Sequence, residues 1–166
     1  MNRIIKLAIV LIILLVGALV SFYLLYTPKE APIVNAKISE NELQVKQLTD
    51  LSKYDNGDYY LFLYTEGVSY RNDVNYVLDE AVQPLLSSLK KDEFSFVQSV
   101  KLVEYAEFSN DIKTQWMVST IPSFVKVHVE NGKVSIVDSL QWDSEKPYDD
   151  QILKEWFIKH GIWPGT

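Results

Sequence analysis

The first part of the chain is apolar without interruption. Residues 7–25 contain no charged side chain, and a helix of that length, at about 1.5 Å per residue, spans the hydrocarbon core of a bilayer. Arg3 and Lys6 precede this run, and positive charge on that side favours a cytoplasmic N-terminus. We therefore expect a cytoplasmic segment at residues 1–6 and a transmembrane anchor at residues 7–26.

A cleaved signal peptide is the competing interpretation of this segment. Its apolar region would be shorter, roughly 7 to 15 residues, and would end at a site of small residues. The run here is longer, and the residues that follow Ser21 are bulky, FYLLY. We therefore favour an uncleaved signal anchor in the cell membrane, with a single pass and an extracytoplasmic C-terminal domain.

The segment after the anchor lacks a clear apolar pattern. Residues 27–41 carry two prolines and mixed charges, which is typical of a linker. Residues 42–166 then suffice for one domain with its own core. Weak alternation over Glu42–Leu48 predicts a first, edge strand, and Thr49–Tyr54 predicts a short helix capped by Thr49.

A strand and a long helix follow. Tyr59–Tyr64 is aromatic and apolar throughout, as expected of a central strand that is buried on both faces. A helix is predicted from about Asn72, because apolar residues recur at helical spacing; they are Val74, Val77, Leu78, Ala81, Val82, Leu85, Leu86 and Leu89. Pro84 lies inside this pattern and predicts a kink.

Shorter periodic segments complete the chain. The predicted elements are a strand at Val100–Tyr105, a short helix at Asn110–Met117, a hairpin of Phe124–Val129 and Val134–Val137, a loop at Leu140–Pro147, and a final helix at Tyr148–His160. Asn131-Gly132 favours a type I′ turn in the hairpin. Gly161 is expected to end the final helix.

The segment Ser119–Val127 joins a turn that ends in Ile-Pro to an alternating strand. Together with the order of elements from about Glu42 to Gly161, its Thr-Ile-Pro-Ser-Phe motif resembles the cis-proline region of the thioredoxin-like fold. The resemblance implies an α/β fold of three layers, α/β/α, with a mixed sheet. It also implies a cis bond between Ile121 and Pro122 and a hairpin next to the Tyr59–Tyr64 strand.

The chain contains no cysteine, which excludes disulfides, thiolate metal sites and dithiol redox chemistry. In thioredoxins a Cys-x-x-Cys motif begins the long helix, and the same register here is Val68-Ser69-Tyr70-Arg71. The resemblance therefore implies a redox-inactive member of the family, and we expect no thiol–disulfide oxidoreductase activity.

The former active-site turn and the proline loop form the candidate site for a partner. Its residues are Glu66, Val68, Ser69, Tyr70, Arg71, Trp116, Thr120, Ile121 and Pro122. Backbone N–H groups at the helix start, with Arg71, suit a carboxylate or phosphate of the partner. In the alternative interpretation, Arg71 pairs with Asp73 or Asp79, and Trp116 either borders the groove or lies buried beneath the proline loop.

Other chemistry finds little support in the sequence. His128 is expected to face solvent and His160 to lie in the last helical turn, so we expect no metal site and no cofactor. No Gly-x-Ser-x-Gly elbow is present. The net charge of −6 argues against nucleic acid as a partner.

We favour a membrane-anchored domain that binds a peptide or protein partner near the outer membrane surface. Small membrane-anchored thioredoxin-like accessory proteins of bacterial export systems resemble this layout. One alternative is a structural subunit of a membrane complex, held by its transmembrane helix through small residues such as Gly17 and Ser21. Another is an enzyme with non-thiol chemistry that depends on Glu66 or Arg71.

Overall fold

The computed structural model describes residues 12, 15–17, 21, 38, 45, 47–65, 67, 69–101 and 110–164. The chain divides into two compact units, Met1–Ala31 and Pro32–Thr166. In the first unit, Ile12, residues 15–17 and Ser21 are helical. None of the helices within the described ranges is long and apolar enough to cross a membrane, and most of the predicted anchor lies outside those ranges.

The second unit is built on a four-stranded sheet. Its elements in chain order are a 3₁₀ helix (Leu48–Lys53), β1 (Gly57–Tyr64), α1 (Arg71–Tyr76), a π-helical segment (Val77–Val82), α2 (Gln83–Leu89), β2 (Gln98–Lys101), α3 (Asn110–Trp116), β3 (Ser123–Glu130), β4 (Lys133–Gln141) and α4 (Asp150–Lys159). The strand order is β2-β1-β3-β4. Strand β1 runs parallel to β2 and antiparallel to β3, and β4 runs antiparallel to β3. The hairpin therefore lies beside β1, as the resemblance implies.

Alternating side chains of the central strands divide the interior into two cores. Phe62 of β1 and Phe124 of β3 point into the first core, which packs against α1, the π segment, α2 and α4. Leu61 and Leu63, on the other face of β1, belong to the second core, which packs against the 3₁₀ helix and α3. Because successive residues of a strand face opposite sides, the sheet is covered on both faces. The result is a mixed α/β domain of three layers, consistent with the thioredoxin-like fold.

The long predicted helix is present, and its irregularity lies just before Pro84. The π segment ends at Val82, and the N–H of Gln83 donates to the carbonyl of Leu78, five residues back. Since a proline ring clashes with the carbonyl four residues back in an α-helix, the wider π turn makes room for it. Lys90 ends the helix in the left-handed conformation, with φ +53°.

Three predicted boundaries differ from the structure. Val45 and Gln47 are not in a strand and Leu48 begins the 3₁₀ helix, so the described part of the predicted first strand is wrong. That helix is capped by Gln47, whose N–H donates to Asp50 Oδ2 at 3.0 Å, and not by Thr49. Strand β2 begins earlier than predicted, at Gln98, and residues 102–109 lie outside the described ranges.

The hairpin and the final helix follow the sequence signals closely. Asn131 and Gly132 both have positive φ, +51° and +74°, as a type I′ turn requires. Helix α4 spans Asp150–Lys159, so it begins two residues later and ends one residue earlier than predicted. Asp149 caps it, since its carboxylate accepts the N–H of Ile152 at 3.0 Å. Gly161 follows the helix with φ +68°. Strand β4 runs to Gln141, so the first two residues of the predicted loop are strand.

Candidate functional site

A cavity of about 600 Å³ opens where the start of α1, the proline loop and the end of β4 meet. We call it the proline-loop cavity, and its lining residues are Tyr70, Asp73, Lys113, Ser119, Thr120, Ile121, Gln141, Trp142, Asp143 and Ser144. It lies at the end of the domain where the sequence places the former active-site turn. Three of the residues predicted for the partner site, Tyr70, Thr120 and Ile121, are in its lining.

The proline loop forms one wall of this cavity. The bond between Ile121 and Pro122 is cis, as the resemblance implies. Ile121, Pro122 and Ser123 are buried, and the Ser123 hydroxyl donates to the carbonyl of Thr120 at 2.7 Å. Burial and this bond fix the position of the loop next to the start of β3.

The end of β4 braces the opposite wall. Ser123 pairs with Gln141 across the hairpin, which brings the end of β4 beside the loop. Gln141 Oε1 accepts hydrogen bonds from the N–H and the hydroxyl of Ser119, at 2.7 and 2.8 Å. The Thr120 hydroxyl donates to the carbonyl of Trp142. The two walls are thus joined by three hydrogen bonds, and the cavity is preformed.

Trp142 is held rigidly within the lining. Its side chain is 8% exposed, and its ring lies 5.3 Å from that of Tyr76 and 6.0 Å from that of Tyr148. Within the described part of the chain, its buried indole Nε1 has no hydrogen-bond partner. A buried donor without an acceptor is costly, and this donor belongs to a residue that borders the cavity.

Asp73 lines the cavity together with Trp142. It lies in the first turn of α1 and is half-buried. Burial raises the pKa of the Asp73 carboxyl, and the neighbouring Trp142 side chain partly opposes that rise. The aspartate therefore sits where its negative charge is only partly stabilised.

The charges of the cavity differ from the sequence-based expectation. A carboxylate or phosphate was expected at the start of the long helix. However, Asp73 and Asp143 both line the cavity, while Lys113 is its basic lining residue. Because Asp73 already occupies the first turn of the helix, where a negative charge favours the helix dipole, this arrangement favours a cationic or neutral group over an anion.

The predicted site residues divide into three groups. Tyr70, Thr120 and Ile121 line the cavity. Ser69, Arg71, Trp116 and Pro122 are near it in the chain or in the core but do not line it. Glu66 and Val68 lie outside the described residues. Among the predicted residues that the structure describes, the turn contributes Tyr70 to the lining, and the proline loop contributes Thr120 and Ile121.

Trp116 is not a groove residue. Its side chain is fully buried in the second core together with Val118 and Ile121. This is the arrangement in which the tryptophan lies beneath the proline loop. The residue therefore supports the loop from below and does not contact a ligand in the cavity.

Sequence reasoning missed the lining residues of the segment Gln141–Ser144. They were assigned to a loop without a role. The signal for them was indirect, because only the pairing of β3 with β4 brings the end of β4 next to Ser119 and Thr120. Asp73 was considered only as a partner of Arg71.

The two histidines pair with carboxylates away from this cavity. His128 Nδ1 lies 2.6 Å from Asp58 Oδ1, and its side chain is 43% exposed. His160 Nε2 lies 2.8 Å from Asp138 Oδ2. Within the described ranges, no group of three or more histidine, cysteine, aspartate or glutamate side chains is placed to hold a metal ion.

Comparisons with known proteins find similarity only among solved structures. No protein family profile matches the chain, and no curated protein matches it significantly. The structure of Trichomonas vaginalis thioredoxin is 14% identical, with a TM-score of 0.37, over 78% of this chain and 96% of that one. The solution structure of a Thermus thermophilus thioredoxin is 16% identical, with a TM-score of 0.42, over 80% and 92%. These low scores add nothing about function, and the fold follows from the sheet order and the proline loop.

Proposed function

We propose that this protein binds an extended segment of a peptide or protein partner in the proline-loop cavity, without redox chemistry, and holds that partner at the outer surface of a membrane. The observation that carries the proposal is the preformed cavity itself. Its volume of about 600 Å³ falls within the range of ligand sites, and it has both aromatic and hydrogen-bonding groups in its lining.

The absence of cysteine supports binding without thiol chemistry. No thiol is available anywhere in the chain, so the cavity cannot exchange disulfides with a bound segment. The braced proline loop remains in place through Ser119, Thr120 and Gln141. A thioredoxin-like site that keeps its loop and lacks its nucleophile retains the means to hold a peptide.

Membrane attachment rests on the N-terminal segment. Residues 7–25 carry no charge. In the described part of that segment, Ile12, Leu15 and Val16 are helical and between 52% and 61% exposed. Large apolar side chains left open along a helix suit a lipid environment, and the basic residues before them favour a cytoplasmic N-terminus.

A photo-crosslinking residue tests the proposed site in native cells. Placed at Ser144, which is exposed and lines the cavity, it is expected to give a discrete adduct. Mass spectrometry of the adduct then identifies the partner segment. A matched probe at Glu155, exposed on α4, is expected to give none. Equal adducts at both positions, or none at Ser144, would mean that the cavity is not the binding site.

A structural subunit held by its transmembrane helix is the second candidate. Gly17 and Ser21 are both helical and are four residues apart, which places two small residues on one helix face. Replacing residues 7–26 by an unrelated transmembrane helix separates the two functions. Binding in the cavity survives this exchange, whereas assembly through the helix is lost.

An enzymatic role gains no support. Arg71 does not line the cavity, and Glu66 lies outside the described residues. Replacing Arg71 tests this role, because the enzyme hypothesis predicts a loss of turnover in a folded variant, whereas we expect a change in stability or binding.

A further inference from the structure

We propose that the proline-loop cavity selects a basic side chain, lysine or arginine, in the bound segment, and that the Asp73 carboxylate receives its charge. The inference rests on the proposed function, because it names the chemistry of the segment that the cavity holds. It concerns the end of the cavity formed by Tyr70, Asp73 and Trp142.

The first observation is the position of Asp73. Its carboxylate lines the cavity, and among the residues that the structure describes it has no cationic partner. A half-buried carboxylate loses hydration, and a cation brought against it recovers part of that cost. The raised pKa of Asp73 agrees with this environment. A bound ammonium or guanidinium group therefore favours the ionised form of the aspartate.

The second observation is the indole of Trp142. Trp142 is 8% exposed, and the rings of Tyr76 and Tyr148 pack against its indole. Trp142 and Asp73 both line the cavity, and the indole opposes the rise that burial causes in the pKa of the Asp73 carboxyl. A carboxylate has two oxygens and several acceptor positions, so the indole side leaves an oxygen available to a ligand donor.

The aromatic residues of the lining suit both the methylene chain and the charged group of a lysine or arginine. Tyr70 and Trp142 both line the cavity beside Asp73. Aromatic faces attract lysine and arginine head groups, and the methylene stem of a basic side chain buries well against apolar surface. Asp143, also in the lining, adds negative charge.

The test uses the chain purified in detergent and synthetic nine-residue peptides in four sets. The four peptides of a set have identical flanking residues and differ only in the central residue, which is lysine, arginine, norleucine or glutamate. Fluorescence polarisation gives each dissociation constant. We expect lysine and arginine peptides to bind about tenfold more tightly than norleucine peptides, since charge-assisted hydrogen bonds exceed neutral ones, and glutamate peptides to bind most weakly.

Two substitutions locate the preference. Asp73→Asn is expected to remove the advantage of lysine over norleucine while norleucine binding stays the same. Asp79→Asn, an exposed change on the same long helix outside the cavity lining, is expected to leave the advantage intact. Circular dichroism of each variant confirms that it is folded.

The outcomes distinguish this inference from the function on which it rests. If every peptide fails to bind, the proposed function and this inference both fail. If peptides bind but lysine and norleucine are equivalent, or if Asp73→Asn retains the preference, only the basic specificity is overturned. Should Asp73→Asn not fold, the comparison of lysine with norleucine and glutamate on the unmodified protein still decides.

Discussion

At the scale of single residues, Asp138 joins the end of α4 to the sheet. Its Oδ2 accepts hydrogen bonds from Trp156 Nε1 at 3.1 Å, Lys159 Nζ at 2.8 Å and His160 Nε2 at 2.8 Å. Burial raises the pKa of Asp138, but the hydrogen bonds from Lys159 and His160 outweigh it and lower that pKa from its ordinary 3.8 to about 2. The carboxylate is therefore a stabilising contact of the folded state.

We expect Asp138→Asn to lower the free energy of unfolding at pH 7 by about 2 kcal/mol, the equivalent of the depressed pKa. The side chain is 27% exposed, so solvent screens the charge only in part. Urea denaturation measures the change. The exposed Asp79→Asn serves as the matched control and should change stability by less than about 0.5 kcal/mol.

The same group predicts a pH dependence. A carboxyl whose pKa is lower in the folded state contributes stability above its unfolded pKa and loses that contribution as pH falls through its folded pKa. For Asp138 the loss occurs between 3.8 and about 2. The stability difference between the natural protein and Asp138→Asn should accordingly shrink over that interval. A difference that stays constant down to pH 2 would show that the charge is not the source.

At the scale of elements, an irregularity in β4 decides which side chains reach which core. Val127 pairs with Ile136, but Lys126 pairs with Asp138, so Val137 is an extra residue and is 53% exposed. Such a bulge reverses the alternation of faces. Ile136 consequently packs with the second core, while Leu140 packs with the first. The bulge is also what turns Asp138 toward α4.

The hairpin turn provides a prediction at this scale. Gly132 has φ +74°, a conformation that costs an L-residue about 1 kcal/mol. The methyl group added by Gly132→Ala would lie 3.7 Å from Ser52 O, an ordinary van der Waals contact. Any loss of stability in this variant is therefore due to the backbone conformation. We therefore expect Gly132→Ala to lower the free energy of unfolding by about 1 kcal/mol, measured by thermal or urea denaturation.

Gly67 supplies the comparison for that substitution. Its φ is outside the left-handed region, and an added Cβ would contact the side chains of Thr65 and Tyr70 at 3.7 Å. Gly67→Ala should therefore change stability by less than about 0.5 kcal/mol. If both substitutions cost the same, the type I′ geometry of the turn is not the reason.

Elements with strong local signals were predictable from the sequence. The apolar period of the long helix and the Asn-Gly turn each act within a few residues, and the structure confirms both. The first strand was not predictable in the same way, because the weak alternation around Val45 does not distinguish a strand from a segment with one buried side chain. The bulge at Val137 has no local signature and arises from packing on both faces of the sheet.

At the scale of the whole molecule, the domain extends into the predicted linker. Ile38, within residues 27–41, is 3% exposed and belongs to the first core with Phe62 and Trp142. The compact unit likewise begins at Pro32. The segment before the 3₁₀ helix thus contributes to the core that positions the cavity.

We expect Ile38→Ala in the full-length chain to lower the free energy of unfolding by about 2–4 kcal/mol, as buried large-to-small substitutions do. Ile158→Ala is the matched control, since Ile158 is 43% exposed on α4, and it should cost less than about 1 kcal/mol. Urea denaturation compares the two. Equal effects would indicate that residues 27–41 act as a simple tether.

The sequence by itself determined the absence of thiol chemistry, the apolar N-terminal run, and the order of strands and helices from β1 onward with its proline loop. These follow from composition and from periodicities that act locally. Only the tertiary structure decided that Asp73, Ser119 and Trp142 share one cavity and that Trp116 is buried, because residues far apart in the chain meet there through the pairing of β3 with β4. A binding site depends on which distant residues the fold brings together. The charge of this cavity therefore comes from residues whose local sequence gives no sign that they belong to a site.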